Sequence, residues 1–198
     1  MGIAQKPTLL DVRRSGEYAT KFRWSLSFLE PPSFMTDPGY LRQLNVLCQS
    51  ANLPTKTVEP MTIAVRGHKH FQPGRVVPAG TLPLNFYETV NNQIHQLFWY
   101  WQESIWAHNI GVGLSYDDLI AESIVITRLS NNDTPICNYV LKWCFLEGYT
   151  NPQLSGATSG PYQTGITLSY NDFYILGPGN TAFDLILRNE NSSYVTGS

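Results

Sequence analysis

The chain has 198 residues, with 13 Lys and Arg against 15 Asp and Glu, a formal charge of -2, and only 14% charged residues beside 42% hydrophobic and 13% aromatic ones. That length suits one domain that buries about 70% of its unfolded surface without a disulfide or metal staple. The composition excludes a disordered chain, and a near-neutral charge with no basic run longer than Arg13-Arg14 argues against autonomous grip on duplex DNA. So few charges leave a surface covered by Ser, Thr, Asn, Gln and backbone, or by other subunits.

Residues 1–20 carry Lys6, Asp11, Arg13, Arg14 and Glu17 without periodicity and read as an arm that orders on a partner. Phe22, Trp24, Leu26 and Phe28 then alternate with Arg23, Ser25 and Ser27, the period of a strand with one buried face. Asp37-Pro38-Gly39 reads as a turn. A second extended run is expected from Leu41 to Leu53, with Leu44, Val46 and Cys48 on one face. A third covers Val58 to His70 through Met61, Ile63 and Val65, and Phe71-Gln72-Pro73-Gly74-Arg75 is the expected turn of a long hairpin returning through Val76 to Tyr87.

The period then changes. Val90, Ile94, Leu97, Phe98, Trp101 and Ile105 form one stripe of an amphipathic helix over about residues 90–107, with Thr89 as N-cap and Asn109 and Gly111 closing it. Later strands hold Ile124 and Ile126, then Tyr139, Leu141, Trp143 and Phe145 after a turn at Asn131-Asn132-Asp133, then Ile166, Leu168 and Tyr170. Gly177-Pro178-Gly179 opens a tail whose last apolar run is Phe183 to Leu187. About seven antiparallel strands around one flanking helix make a mainly β, two-sheet barrel or sandwich.

Chemistry is sparse. His68 and His70 have a spacing a metal could use, but no adjacent Cys or carboxylate completes a ligand set, and polar hairpin residues at a subunit contact are the better reading. Asp117-Asp118 has no second acid partner, and no G-x-S-x-G elbow, phosphate loop or dinucleotide fingerprint is present. Cys48, Cys137 and Cys144 are expected as reduced, buried packing in a protein made in a cytoplasm, and the sequons at Asn132 and Asn191 as chance matches. No run of 18 apolar residues exists, so no membrane span is expected, and neither an enzyme activity nor a cofactor is implied. Two surfaces stand out. Arg66, His68, Lys69, His70 and Arg75 form the one basic cluster, able to pair with carboxylates of a neighbouring subunit, and Trp99, Tyr100 and Trp106 fall off the apolar stripe of the helix.

The opening strand Phe22 to Phe28, the strand ending Cys48 to Pro54, the hairpin Val65 to Arg75, the strand Leu82 to Tyr87 running into an aromatic-rich helix, and the strands Leu141 to Gly148 and Gly165 to Tyr170 come in a distinctive order. In that order the chain resembles the tail tube proteins of contractile-tailed bacteriophages, related in fold to type VI secretion tube proteins. The resemblance covers roughly residues 20–176. It implies an N-terminal arm (1–20), a tube-type β domain (21–176) and a C-terminal extension (177–198). It further implies homo-hexameric rings that stack into a hollow conduit for DNA ejection, with the hairpin Arg66 to Arg75 and the arm at the stacking contacts. Expected partners are the surrounding sheath, baseplate and tail terminator proteins, the tape measure protein and passing DNA. The expected place is the virion tail, assembled in the host cytoplasm. A neutral to negative bore would let DNA slide. A specialised baseplate or terminator ring, or a virion-associated carbohydrate- or receptor-binding β-sandwich using exposed Trp and Tyr, are the alternatives.

Overall fold

In the computed structural model, residues 20–78, 80–105, 113–151 and 160–177 are described. The N-terminal arm before Thr20, Trp106, the Asn109 and Gly111 helix stop, most of the Ser/Gly/Thr loop after Gly148 and the run Phe183 to Leu187 lie outside them.

Nine strands occur among the described residues: β1 Trp24–Glu30, β2 Cys48–Ala51, β3 Lys56–Val65, β4 His68–Pro78, β5 Thr81–Tyr87, β6 Ala121–Leu129, β7 Pro135–Thr150, β8 Gln163–Ser169 and β9 Asp172–Leu176. Three helices accompany them, α1 Pro38–Leu47, α2 Gln93–Ile105 and the one-turn α3 Tyr116–Leu119. All pairings are antiparallel. The main sheet runs β1-β6-β7-β8-β5-β2, with β9 also on β7.

The long β7 organises this sheet. Its first half pairs with β6 and β9, and its second half, from Phe145, pairs with β8. The result is two layers that share one strand: one of β1, β6, β7 and β9, and a second of β2, β5, β8 and the end of β7. At Trp143 the backbone has φ +53, a conformation that costs an L residue about 1–2 kcal/mol. The payload of that turn of the chain is a change of face. Before it Leu141 belongs to the main core, with its neighbour Val140 buried as well, and after it Cys144 and Leu146 are the core side chains, so the side facing the main core passes from odd to even positions as β7 changes layer. The expected barrel-or-sandwich is therefore a sandwich of two sheets, with no closed barrel among the described residues.

The core is built where these faces meet. Leu26, Leu82, Leu84, Phe86, Phe98, Trp101, Ile124, Leu141 and Leu168 are at most 1% exposed. Phe98 and Trp101 of α2 fill the centre, with Phe86 and Phe98 ring centroids 5.6 Å apart. Trp101 Nε1 donates to the Leu119 carbonyl at 2.8 Å, which satisfies the indole and ties α3 to α2. Cys48, Cys137 and Cys144 are free and buried, and burial pushes the Cys48 and Cys144 thiols up to about 12.

Several expectations need correction. The run Leu41 to Leu53 is helix α1 followed by the short β2, not one strand. Asp37 caps α1, its Oδ1 accepting from the Gly39 N–H at 2.8 Å with Pro38 in the first turn. On that helix Leu44 is buried, while Val46 is 73% exposed. Among the described residues helix α2 spans Gln93–Ile105, so it starts at Gln93 rather than at 90, and Val90 lies fully exposed before it; the expected end at 107 lies outside the described residues. Its cap is Glu88 instead of Thr89: the carboxylate accepts from the N–H groups of Thr89, Ile94 and His95 at 2.9, 3.1 and 2.7 Å. A negative charge there also meets the positive end of the helix dipole. The hairpin turns at Arg66-Gly67, not at Phe71 to Arg75, and its return strand stops at Pro78, so that β5 begins separately in the main sheet. Strand β9 had no expected counterpart.

Candidate assembly surfaces

Among the described residues, strands β3 and β4 pair only with each other, as a two-stranded ribbon separate from the main sheet. Pairing is in register from Val65–His68 at the tip down to Pro60–Pro73. The turn uses positive φ at both central residues, Arg66 at 48° and Gly67 at 83°, the backbone that matches the right-handed twist of a hairpin. Arg66 accepts strain there that Gly67 does not. Lower down, Gly74 and Arg75 lie opposite Glu59 in a bulge. A Cβ on Gly74 would come within 2.3 Å of the Glu59 carbonyl oxygen, so only glycine fits. The bulge is braced by Arg75, whose Nε donates to Glu59 Oε2 at 2.7 Å.

The register sorts the side chains onto two faces. Met61, Ile63 and Val65 share one with Gln72, His70 and His68; Pro60, Thr62 and Ala64 share the other with Pro73, Phe71 and Lys69. The basic residues singled out in the sequence are therefore not one patch. Arg66 marks the tip, His68 and His70 lie on one face, Lys69 on the opposite face, and Arg75 is occupied by Glu59. All ten residues of β3 are exposed, and Val58, Met61, Val65, Phe71 and Val76 keep 53%, 50%, 59%, 64% and 57% of their surface. Sequence reasoning weighed the charges and missed this apolar content, although its signal, Val, Met, Ile and Phe alternating across both strands, was present.

At its base the ribbon is held to the body by Lys56, whose Nζ lies 3.0 Å from Asp172 Oδ1 and 4.9 Å from the Phe173 ring centre. The hydrogen bond from Lys56 is the main cause that holds the Asp172 carboxyl below its usual range. Helix α2 supplies the second surface. Trp99 and Tyr100 are 49% and 51% exposed, opposite the buried Phe98 and Trp101, and Phe34 packs edge-on against Tyr100 at 5.3 Å. Trp106 lies outside the described residues. Among the described residues, no group of three or more His, Cys, Asp or Glu could hold a metal ion, and no helix is long and apolar enough to cross a membrane.

A two-layer β domain that projects an exposed apolar ribbon offers other chains a surface to cover. The chain belongs to the phage tail tube protein family, whose model matches residues 15–176. It is thus a tail tube or related structural tube-like protein. Solved structures agree in fold. A chain in the cryo-EM structure of the anti-feeding prophage baseplate is similar at TM-score 0.61 and 15% identity, over 83% of this chain and 99% of that one. One in the sheath/tube terminator of the extracellular contractile injection system PVC is similar at 0.59 and 13% identity, over 82% and 99%. One in the PVC sheath-tube complex is similar at 0.54 and 13% identity, over 87% and 99%. A search of curated proteins gave no match.

Proposed function

We propose that the protein is the repeating subunit of a phage tail tube: six copies close into a ring, rings stack head to tail, and DNA passes through the bore into the host. The observation that carries this reading is the β3–β4 ribbon. An isolated two-stranded hairpin is marginal in water, and exposed apolar surface of this extent marks a partner site. Here both faces are apolar and exposed, so the ribbon is complete only when clasped by other copies, with Arg66, His68, Lys69 and His70 around its tip meeting carboxylates of the next ring. Arg75 acts within the subunit, through Glu59. Trp99 and Tyr100, with Trp106 just beyond α2, give a second contact for a neighbouring copy or the sheath. Residues 1–20 act as an arm on the body 21–176, and 177–198 as an extension. Sheath, baseplate and terminator proteins, the tape measure protein and DNA complete the set of partners, in a virion tail put together in the host cytoplasm.

We assign the bore to the outer face of β2, β5, β8 and the Phe145–Thr150 end of β7. Those segments carry a single charged side chain, Glu147, whose carboxylate accepts from Ser169 Oγ at 2.8 Å. Thr81, Asn85, Gln163, Thr167 and Ser169, with the exposed Pro83 and Phe145 among them, make the rest an uncharged surface. Such a wall has no cations to hold phosphates and few anions to repel them.

A specialised ring at a baseplate or tube end is the second reading. It is favoured by residues 177–198, which lie beyond the span of the family match, and by the baseplate and terminator origin of similar chains. Negative-stain electron microscopy of the purified protein tests both. Long tubes support the first reading and isolated rings the second; a monodisperse monomer at high concentration and on baseplate seeds would overturn both.

A further inference from the structure

The sandwich is open along one side. Among the described residues β1 pairs only with β6, and β2 only with β5. Between these two free edges lies a cleft of about 430 Å³. Its floor is apolar, from Trp24, Ala51, Leu53 and Ile126, and Lys21, Arg23 and Arg128 stand at its rim. Part of the β1 edge is already closed by α1, because the Leu26 N–H donates to Asn45 Oδ1 at 2.9 Å. The cleft begins where that closure stops, beside Trp24. Arg23 is paired with Asp133; Lys21 and Arg128 have no carboxylate partner among the described residues. A strand-wide slot with an apolar floor, basic rim and unpaired edges fits an extended segment with alternate apolar side chains and an acid between them.

We propose that residues 183–187 of the same chain are that segment, seated between β1 and β2. Phe183, Leu185 and Leu187 alternate as the floor requires, and Asp184 stands between them to meet Lys21 and Arg128. The opposite terminus is less suited: residues 1–19 carry Lys6, Arg13 and Arg14 against Asp11 and Glu17, a net positive charge facing a basic rim. The tail also starts in the right place. Leu176 pairs with Asn138, Asn138 with Thr127, and the adjacent Arg128 with Trp24, so β9 ends at the level of the cleft. A segment seated beyond the free edge of β1 lies four strand spacings from β9, roughly 19 Å, a span that residues 177–182, up to about 20 Å when extended, just reach. The tail lies beyond the family match, so this seat is an addition to the family's domain, and it stands whether or not the tube reading holds.

The test is a disulfide between Gln49→Cys, at the cleft rim, and Ile186→Cys, in the full chain under mild oxidation. The native thiols do not compete, since all three are buried. The expected product is an intramolecular crosslink, seen as a faster-migrating monomer on a non-reducing gel, and no such product from Thr57→Cys with Ile186→Cys. Asp184→Lys should lower the yield at least fivefold, and Asp184→Lys with Arg128→Glu should restore it, with melting curves showing that each variant is folded. A crosslinked dimer would place the tail in another copy's cleft and overturn the proposal. So would the absence of any crosslink, or an unchanged yield in folded Asp184→Lys.

Discussion

Placing an aspartate on the ribbon separates folding from assembly. Val58, Met61, Val65, Phe71 and Val76 each keep between 50% and 64% of their surface exposed in the subunit. Complete burial of such a side chain contributes about 1.5–3 kcal/mol, so covering the exposed half contributes roughly 1 kcal/mol each and about 5 kcal/mol over the ribbon. Phe71→Asp removes one such share and leaves a charge in the contact, which costs several kcal/mol more unless it is paired. A combined loss of at least ~3 kcal/mol corresponds to more than a 100-fold rise in the concentration needed for polymerisation. Met61→Asp asks the same of the opposite face, beside His70. Light scattering and electron microscopy measure the assembly threshold, and circular dichroism the fold. Both variants should melt within a degree or two of the parent, because neither side chain belongs to the core. Polymerisation at the parental threshold in both would refute the argument that the ribbon is clasped. A large fall in melting temperature would show instead that it stabilises the subunit itself.

Glu88→Gln should destabilise the fold by about 1.5–3 kcal/mol through loss of charge-assisted bonds to three N–H groups, read as a melting shift of roughly 3–10 °C; an unchanged melt would mean that the carboxylate's charge is irrelevant to α2. Trp101→Ala should cost about 3–5 kcal/mol, since it empties the core and orphans the Leu119 carbonyl, and chemical denaturation measures it. Asp172 has a folded pKa below its unfolded value near 3.8. Its contribution is therefore present above that value and lost as pH falls through the folded pKa. With both partners well exposed it amounts to less than ~1 kcal/mol, and the protection of β3 amides, taken relative to their intrinsic exchange rates, should fall below pH 4 in the parent but not in Lys56→Met. Cys48 and Cys144 should resist thiol reagents at pH 8 in the native state and react on unfolding, so rapid native labelling of either would contradict their burial.

The strands whose apolar residues alternate beside a polar face were legible: β1, β6, β5 and β8 follow Leu26, Ile124, Leu84 and Ile166. Helix α2 was legible from its stripe, though its start was not, because the cap comes from Glu88 reaching six and seven residues ahead. Helix α1 was misread because Leu44, Val46 and Cys48 also satisfy a strand period. The decisive sign, Asp37 followed by Pro38 as cap and first turn, resembles a turn when read alone. At the hairpin, Pro73-Gly74 is a stronger turn signal than Arg66-Gly67, yet the glycine serves a bulge where the Glu59 backbone approaches. Pairing, not local propensity, decided between them. As for the candidate site, the ribbon's basic residues were visible as a list, but their division between two faces depends on register.

The shared strand β7 also bears on how the protein resists force. Sixteen residues of extended chain reach about 50 Å, and along that length one backbone serves first one layer and then the other. A pull on one layer is passed to the other through covalent bonds, where most sandwiches rely on side chains meeting across an oily seam. Sliding the layers apart would require stripping backbone hydrogen bonds from β6, β8 and β9 together, so the two walls of the subunit yield as one body or not at all.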